Sequence, residues 1–363
     1  RGGVTRHFDN VNLLLVNDGD EHVLGGEISL PQQLGKQLEF VLDIKGDIQK
    51  PANWDGEFYL RGDAINLAEW QKELPKKKGF GISSGILEIK LWGDLQQGEL
   101  VHLSGDAIAY RVLAKAPFVK GTIDFRMLGG LFEYRASQRE QILVVERLQV
   151  IRSNQVWPEA RFSLHKRRTD SDEYDEIELL ADQFRLQDIT QLLLKTKFLP
   201  QTQYNRLQQM QPRGDVRNLN LRINTQNDEF VEPFFLQAEL EQLATKPSGK
   251  LPGISGINGT VWTDAVQGQL NMHSSFANFN APRLFRKPLK LQQFMGMLEW
   301  NKHPQGWQFL ADNILASNQD INSVSSMLLD VPSKDGSPYL DLQVVFSDGN
   351  ARHASPYLSL IHI

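Results

Sequence analysis

Gln37-Leu38-Glu39-Phe40-Val41-Leu42-Asp43-Ile44-Lys45 is the stretch whose pattern decides the fold. Leu38, Phe40, Leu42 and Ile44 fall at every second position, and apart from Val41 their neighbours are polar or charged. A period of two sends successive side chains to opposite sides of an extended chain, so the segment reads as a strand with one apolar and one wet face. The same alternation returns at Leu87, Ile89 and Leu91, at Leu219, Leu221 and Ile223, and at Leu340, Leu342, Val344 and Phe346. Turn-type residues arrive at short intervals: Asn17-Asp18-Gly19-Asp20, Trp54-Asp55-Gly56, Trp92-Gly93-Asp94, Ser104-Gly105-Asp106, Asn258-Gly259 and Ser347-Asp348-Gly349-Asn350. Strands punctuated in this way form an antiparallel meander.

Two helical patterns interrupt the strands, Ile65 to Leu74 and Leu186 to Leu199, each running into a Leu-Pro pair where proline stops the helix (Leu74-Pro75 and Leu199-Pro200). Both belong to a repeat in which a strand feeds a short helix, a Pro stop, a polar loop, a glycine (Gly85, Gly214) and another strand. A second element recurs as Ser153-Asn154-Gln155 and Ser317-Asn318-Gln319, each between two strands, with a weaker copy in Val11 to Leu30. Self-similarity at this period indicates stacked supersecondary units. The expectation is a mainly β, repeat-built chain, residues 1–363, with units near 1–126, 127–250 and 251–363.

Composition sets the limits of function. The 363 residues are 40% hydrophobic and 23% charged, enough apolar material for a core. A net charge of −5 argues against a nucleic-acid surface. The absence of cysteine removes disulfides, thiolate catalysis and Cys-ligated zinc. No run approaches the ~18 apolar residues that span a bilayer. The chain starts Arg1-Gly2-Gly3, without initiator Met or a signal-like region, and ends Leu360-Ile361-His362-Ile363, so it reads as a piece of a longer protein.

The candidate chemical motifs favour ordinary structure. Gly81-Ile82-Ser83-Ser84-Gly85 matches G-x-S-x-G, but a nucleophile elbow needs a strand before it and a helix after it, and here the strand Ile86 to Leu91 follows. Arg61-Gly62-Asp63 and Arg213-Gly214-Asp215 read as turn chemistry. The histidines, among them His7, His22, His102, His165, His273 and His303, show no ligand spacing to one another or to a carboxylate. Asp170 to Glu176 is a solvated acidic loop after Lys166-Arg167-Arg168. The seven tryptophans are not interleaved with basic residues and serve packing. No metal, no cofactor and no enzyme activity are expected.

The apolar faces remain. At ~15 residues per strand and turn the chain holds ~24 strands, about 115 Å of sheet at ~4.8 Å spacing, which must curl or split. A sandwich, a closed barrel and a curled sheet holding apolar ligand all bury such a face. In the last case the lining is the alternating apolar set: Leu38, Phe40, Leu42, Ile44, Leu87, Ile89, Leu91, Leu219, Leu221, Ile223, Leu298, Phe309, Leu340, Leu342, Val344 and Phe346.

A series of short motifs in the C-terminal third carries a resemblance. Gly256-Ile257-Asn258-Gly259-Thr260-Val261 precedes Gly268-Gln269-Leu270, Pro288-Leu289, Gly296-Met297-Leu298-Glu299-Trp300 and Trp307-Gln308-Phe309. Asn318-Gln319-Asp320, Ser337-Pro338-Tyr339-Leu340-Asp341-Leu342, Phe346-Ser347-Asp348-Gly349 and Tyr357-Leu358 follow. This order resembles the YhdP branch of the AsmA-like family of Gram-negative envelope proteins, over most of the chain and more loosely in residues 1–250. The family continues Tyr-Leu-Pro where this chain has Ser359. The resemblance implies an elongated antiparallel sheet curled into a taco-like groove, and a periplasmic bridge anchored in the inner membrane by an N-terminal helix outside this sequence. It implies passive transport of phospholipid, the acyl chains lying in the groove, in support of the outer-membrane barrier. Outer-membrane components are further partners; nucleic acid is not. The alternative is a non-catalytic envelope scaffold binding outer-membrane proteins through its sheet edges. A glycan hydrolase would need paired carboxylates ~5–10 Å apart, and no motif nominates them.

Overall fold

A computed structural model describes residues 6–73, 78–168, 175–225, 233–249, 251–282, 285, 287–333 and 336–350. The stop at Leu74-Pro75, most of the acidic loop at 170–174 and the Tyr357-Leu358 motif lie outside the described residues. The fold is mainly β, as the alternation predicts: the described residues form a large antiparallel sheet of 21 strands that is not closed, and three short α-helices. By contacts the chain forms two compact units, Arg1–Ile177 with Lys195–Lys197, and Glu178–Leu194 with Phe198–Ile363.

The first unit contains β1 (Asp9–Asp18), β2 (Glu21–Ser29), β3 (Gln37–Lys45), β4 (Asp55–Asn66), α1 (Leu67–Glu73), β5 (Gly81–Gln96), β6 (Glu99–Lys115), β7 (Ile123–Ala136), β8 (Glu140–Arg152), β9 (Gln155–Val156) and β10 (Ala160–Arg167). Each strand from β1 to β8 pairs with the next, and β8 also pairs with β10. The chain leaves this unit through β11 (Glu176–Arg185). The second unit continues with α2 (Leu186–Leu194), α3 (Gln201–Met210), β12 (Arg213–Asn224), β13 (Phe234–Thr245), β14 (Gly253–Asp264), β15 (Gln267–Ser275), β16 (Asn278–Asn280), β17 (Leu289–Lys290), β18 (Gln293–His303), β19 (Gly306–Ser317), β20 (Asn322–Pro332) and β21 (Tyr339–Ser347).

Three expected turns are not turns. Trp92-Gly93-Asp94, Ser104-Gly105-Asp106 and Asn258-Gly259 sit inside β5, β6 and β14. Two of these glycines make room for a ring. Gly93 is registered opposite Phe58 and Gly105 opposite Phe132, and any Cβ at either position would collide with that ring. Gly26 and Gly268 stand in the same relation to Phe40 and Trp300. An aromatic lying over a bare cross-strand position shields it and packs without a void. The Arg-Gly-Asp tripeptides are also in strands, β4 and β12, not turns; Arg61 Nε and an Nη donate to Asp63 at 3.1 Å.

The helices differ in extent. β4 runs through Ile65 and Asn66 before α1 begins, and α2 ends at Leu194, ahead of Leu199-Pro200. Pro200 instead caps α3, a polar helix where a loop was expected. The strand–helix–strand repeat is present in both units, with a shared detail. A glutamine of each helix accepts from the following strand: Gln71 Oε1 from Ile82 N at 2.5 Å, Gln187 Oε1 from Gly214 N at 3.2 Å.

β-Bulges recur in the strands of both units. Ala64, Arg111, Arg147, Asn218, Gln242 and Asn313 have φ between +50° and +52°, and register shifts mark the ladders at these residues. A bulge adds one residue to its strand, bends it and shifts the apolar phase by one. β19 illustrates this, with Trp307, Phe309 and Ala311 before Asn313 and Ile314 and Ala316 after it. The amides freed at Ala64 and Gln242 are taken by side chains of the next strand, Glu88 Oε1 at 3.1 Å and Asn258 Oδ1 at 2.8 Å.

Candidate functional site: an apolar sheet face

Cross-strand register decides which side chains share a face, because residues directly opposite project to the same side. In the first unit one row runs Leu13–Gly26–Phe40–Leu60–Leu91–Gly105–Phe132–Val145–Phe162, each residue opposite the next across nine strands. In the second unit Ala238–Val261–Leu270–Leu298–Ala311–Met327–Leu342 does the same across seven. Register and alternation put Leu38, Phe40, Leu42, Ile44, Leu87, Ile89 and Leu91 on the first face. They put Leu219, Leu221, Ile223, Leu298, Phe309, Leu340, Leu342, Val344 and Phe346 on the second. Ile44 is buried; Ile223 and the four residues of β21 are exposed; the other ten are half-buried.

Only fourteen apolar residues are buried among those described, in a chain that is 40% hydrophobic. Two buried clusters lie where something covers part of a face. In the first unit, Leu30, Leu34 and Ile65 pack with Leu38, Leu87 and Trp70 of α1, and Trp70 Nε1 donates to Leu34 O at 3.0 Å. In the second, Ile257, Met272, Ala277, Ala311 and Ile314 pack with Leu291, Ile254 and the row residues Leu270, Leu298 and Met327, the segment tied down by Leu291 N donating to Ala277 O at 2.8 Å. Elsewhere these rows have no buried cluster over them.

The reverse face of the first unit is largely polar and ion-paired. Arg135 pairs with Glu133 and Arg161 with Glu146. His102 sits between Asp94 Oδ2 at 3.0 Å and Glu133 Oε1 at 3.3 Å. The three residues come from β5, β6 and β7, a neighbourhood that spacing along one strand cannot reveal. Asp124 receives Lys195 Nζ at 3.2 Å. Its burial would push its carboxyl up, but Lys195 and Arg152 outweigh that and hold it below the usual carboxylate range.

Ser83 and Ser84 lie in the extended run of β5, not at a strand-to-helix turn. Among the described residues no group of three or more His, Asp or Glu is placed to hold a metal ion, and no helix is long and apolar enough to cross a membrane. Sequence reading missed further members of the same faces, such as Leu60, Phe132 and Leu270. Phe58-Tyr59-Leu60 is a continuous apolar run that masks the alternation, and Gly105 and Ala107, opposite Leu91 and Ile89, are too small to show it. The family model described as YhdP protein matches residues 3–362. No curated protein and no solved structure gives a significant match.

Proposed function

This chain belongs to the YhdP protein family, a membership that points to an AsmA-like envelope protein, and from that premise we propose that its apolar sheet faces carry phospholipid acyl chains. In this reading the chain is a periplasmic segment of an inner-membrane-anchored protein and passes phospholipid passively toward the outer membrane. The observation that carries the reading is the apolar and glycine register across nine and seven strands, half-buried over much of its extent and exposed at β1 and β21. Apolar area of this extent gains about 25 cal/mol per Å² on leaving water, and acyl chains would supply the missing layer. No chemistry is required of the protein, and its family is not a known enzyme family.

The scaffold reading keeps one point of support. β1 and β21 are exposed along their whole length, with Leu13 and Phe346 each 62% exposed, and open apolar edges can take up another strand. Native mass spectrometry of protein purified from membranes separates the two. Bound phospholipid is expected; a chain that is consistently lipid-free but crosslinks to an outer-membrane protein would replace transport with scaffolding.

A further inference from the structure

On the reverse face of the first unit, one row breaks the polar pattern. Ile86, Tyr110, Met127, Ile151 and Val156 stand opposite one another across β5, β6, β7, β8 and β9. They line an open cleft of about 690 Å³ together with Arg111, Arg126 and Asn154. Tyr110 is 39% and Val156 65% exposed. Four strand spacings make the row roughly 19 Å long. The volume is that of a small-molecule site, about 300–1,000 Å³, and is small for a protein partner.

The arginines set the ligand's charge. Two other guanidinium groups on these strands are matched by carboxylates, Arg135 by Glu133 and Arg152 by Asp124. Among the described residues Arg111 and Arg126 have no ion-pair or side-chain hydrogen-bond partner; Arg111 contributes only its carbonyl, which accepts from Ser84 Oγ at 2.8 Å. Two unmatched guanidinium groups beside an apolar cleft complement an anionic head on an apolar tail, and the planar fork suits phosphate oxygens. The second unit supplies a contrast. Met295, Leu315, Val324 and Val345 form a similar reverse-face row, but β18 to β21 contain no arginine.

We infer that this cleft binds a phosphate-headed amphiphile, its alkyl chain along the Ile86–Val156 row and its phosphate against Arg111 and Arg126. The site lies on the face opposite the proposed acyl path and does not depend on it. The test uses dodecyl phosphate bearing a diazirine at its chain end, below its micelle concentration, with irradiation and peptide mapping. Label is expected on Tyr110, Met127 and Ile151 and not on Met295 or Leu315. The double variant Arg111→Gln/Arg126→Gln should lose about tenfold or more of that label, and Arg126→Gln alone, the cautious variant because Arg111 is at positive φ, a smaller part. Dodecyl maltoside with the same diazirine should leave the row unlabelled. Label confined to Leu60, Leu91 and Phe132 would overturn the inference while leaving the acyl path standing. Reverse-face label that ignores the arginines, or that the neutral maltoside gives equally, would also overturn it.

Discussion

The margin of each apolar face and its open remainder use the same residue types but differ in what lies on them. Leu34 and Ile65, under Trp70 of α1, are 3% and 8% exposed, whereas Leu13 and Leu342 are 62% and 53% exposed. A leucine stabilises a fold in proportion to the area it takes out of water and the contacts it makes. The margin therefore holds each unit together, and the open rows contribute little to stability in the free protein. That division lets one sheet be both a folded body and an exposed apolar surface.

The difference can be broken most forcefully at the margin. Leu34→Ala should destabilise by about 2–5 kcal/mol through the cavity left beneath Trp70, and Met272→Ala should fall in the same range, both read by denaturant unfolding. The ring-over-glycine pairs come next. Gly93→Val places bulk beneath Phe58 and should cost about 1–3 kcal/mol; adding Phe58→Leu should return part of the loss, which a double-mutant cycle measures.

A polar contact outside both regions serves as a control. Lys120 N and Lys197 N bond across to Lys195 O and Phe118 O at 2.7 and 2.8 Å, and Lys195 also meets Asp124. Because the folded-state pKa of Asp124 is lowered, its contribution is present above its unfolded value and is lost as pH falls through the lowered one. Asp124→Asn should cost less than about 1 kcal/mol near neutrality, as partly exposed pairs do. In stability curves against pH, the gap between variant and parent should close on the acid side. At the open face, Leu342→Glu should change stability by about 0.5 kcal/mol or less while abolishing lipid capture. Global unfolding of this variant would mean that β21 is packed like a core.

Much of this was legible beforehand. Alternation at Leu38–Ile44 and Leu340–Phe346 marks strands and the face they share, because the strand period survives any tertiary context that buries one side. Turns were less legible, since Gly93 and Gly105 are chosen for the ring across the ladder, and that ring is distant in sequence. The bulges gave almost no compositional signal. Ala64, Arg111, Arg147 and Gln242 are not residues that favour positive φ, so their only trace is a one-residue slip in the apolar phase. α3 lacks a pronounced apolar stripe, which is why Gln201 to Met210 reads as loop. His102 between Asp94 and Glu133 depends on register across three strands.

The most direct test of the acyl path uses the parity of one strand. With p-benzoylphenylalanine placed singly at each residue from Glu88 to Trp92 of β5, the protein is irradiated with radiolabelled phosphatidylglycerol. Crosslinks at 89 and 91 with none at 88, 90 and 92 are predicted, because only the odd positions face the apolar row. Crosslinks at both parities that persist in the Arg111→Gln/Arg126→Gln background, or at neither while the protein remains folded, would contradict the account.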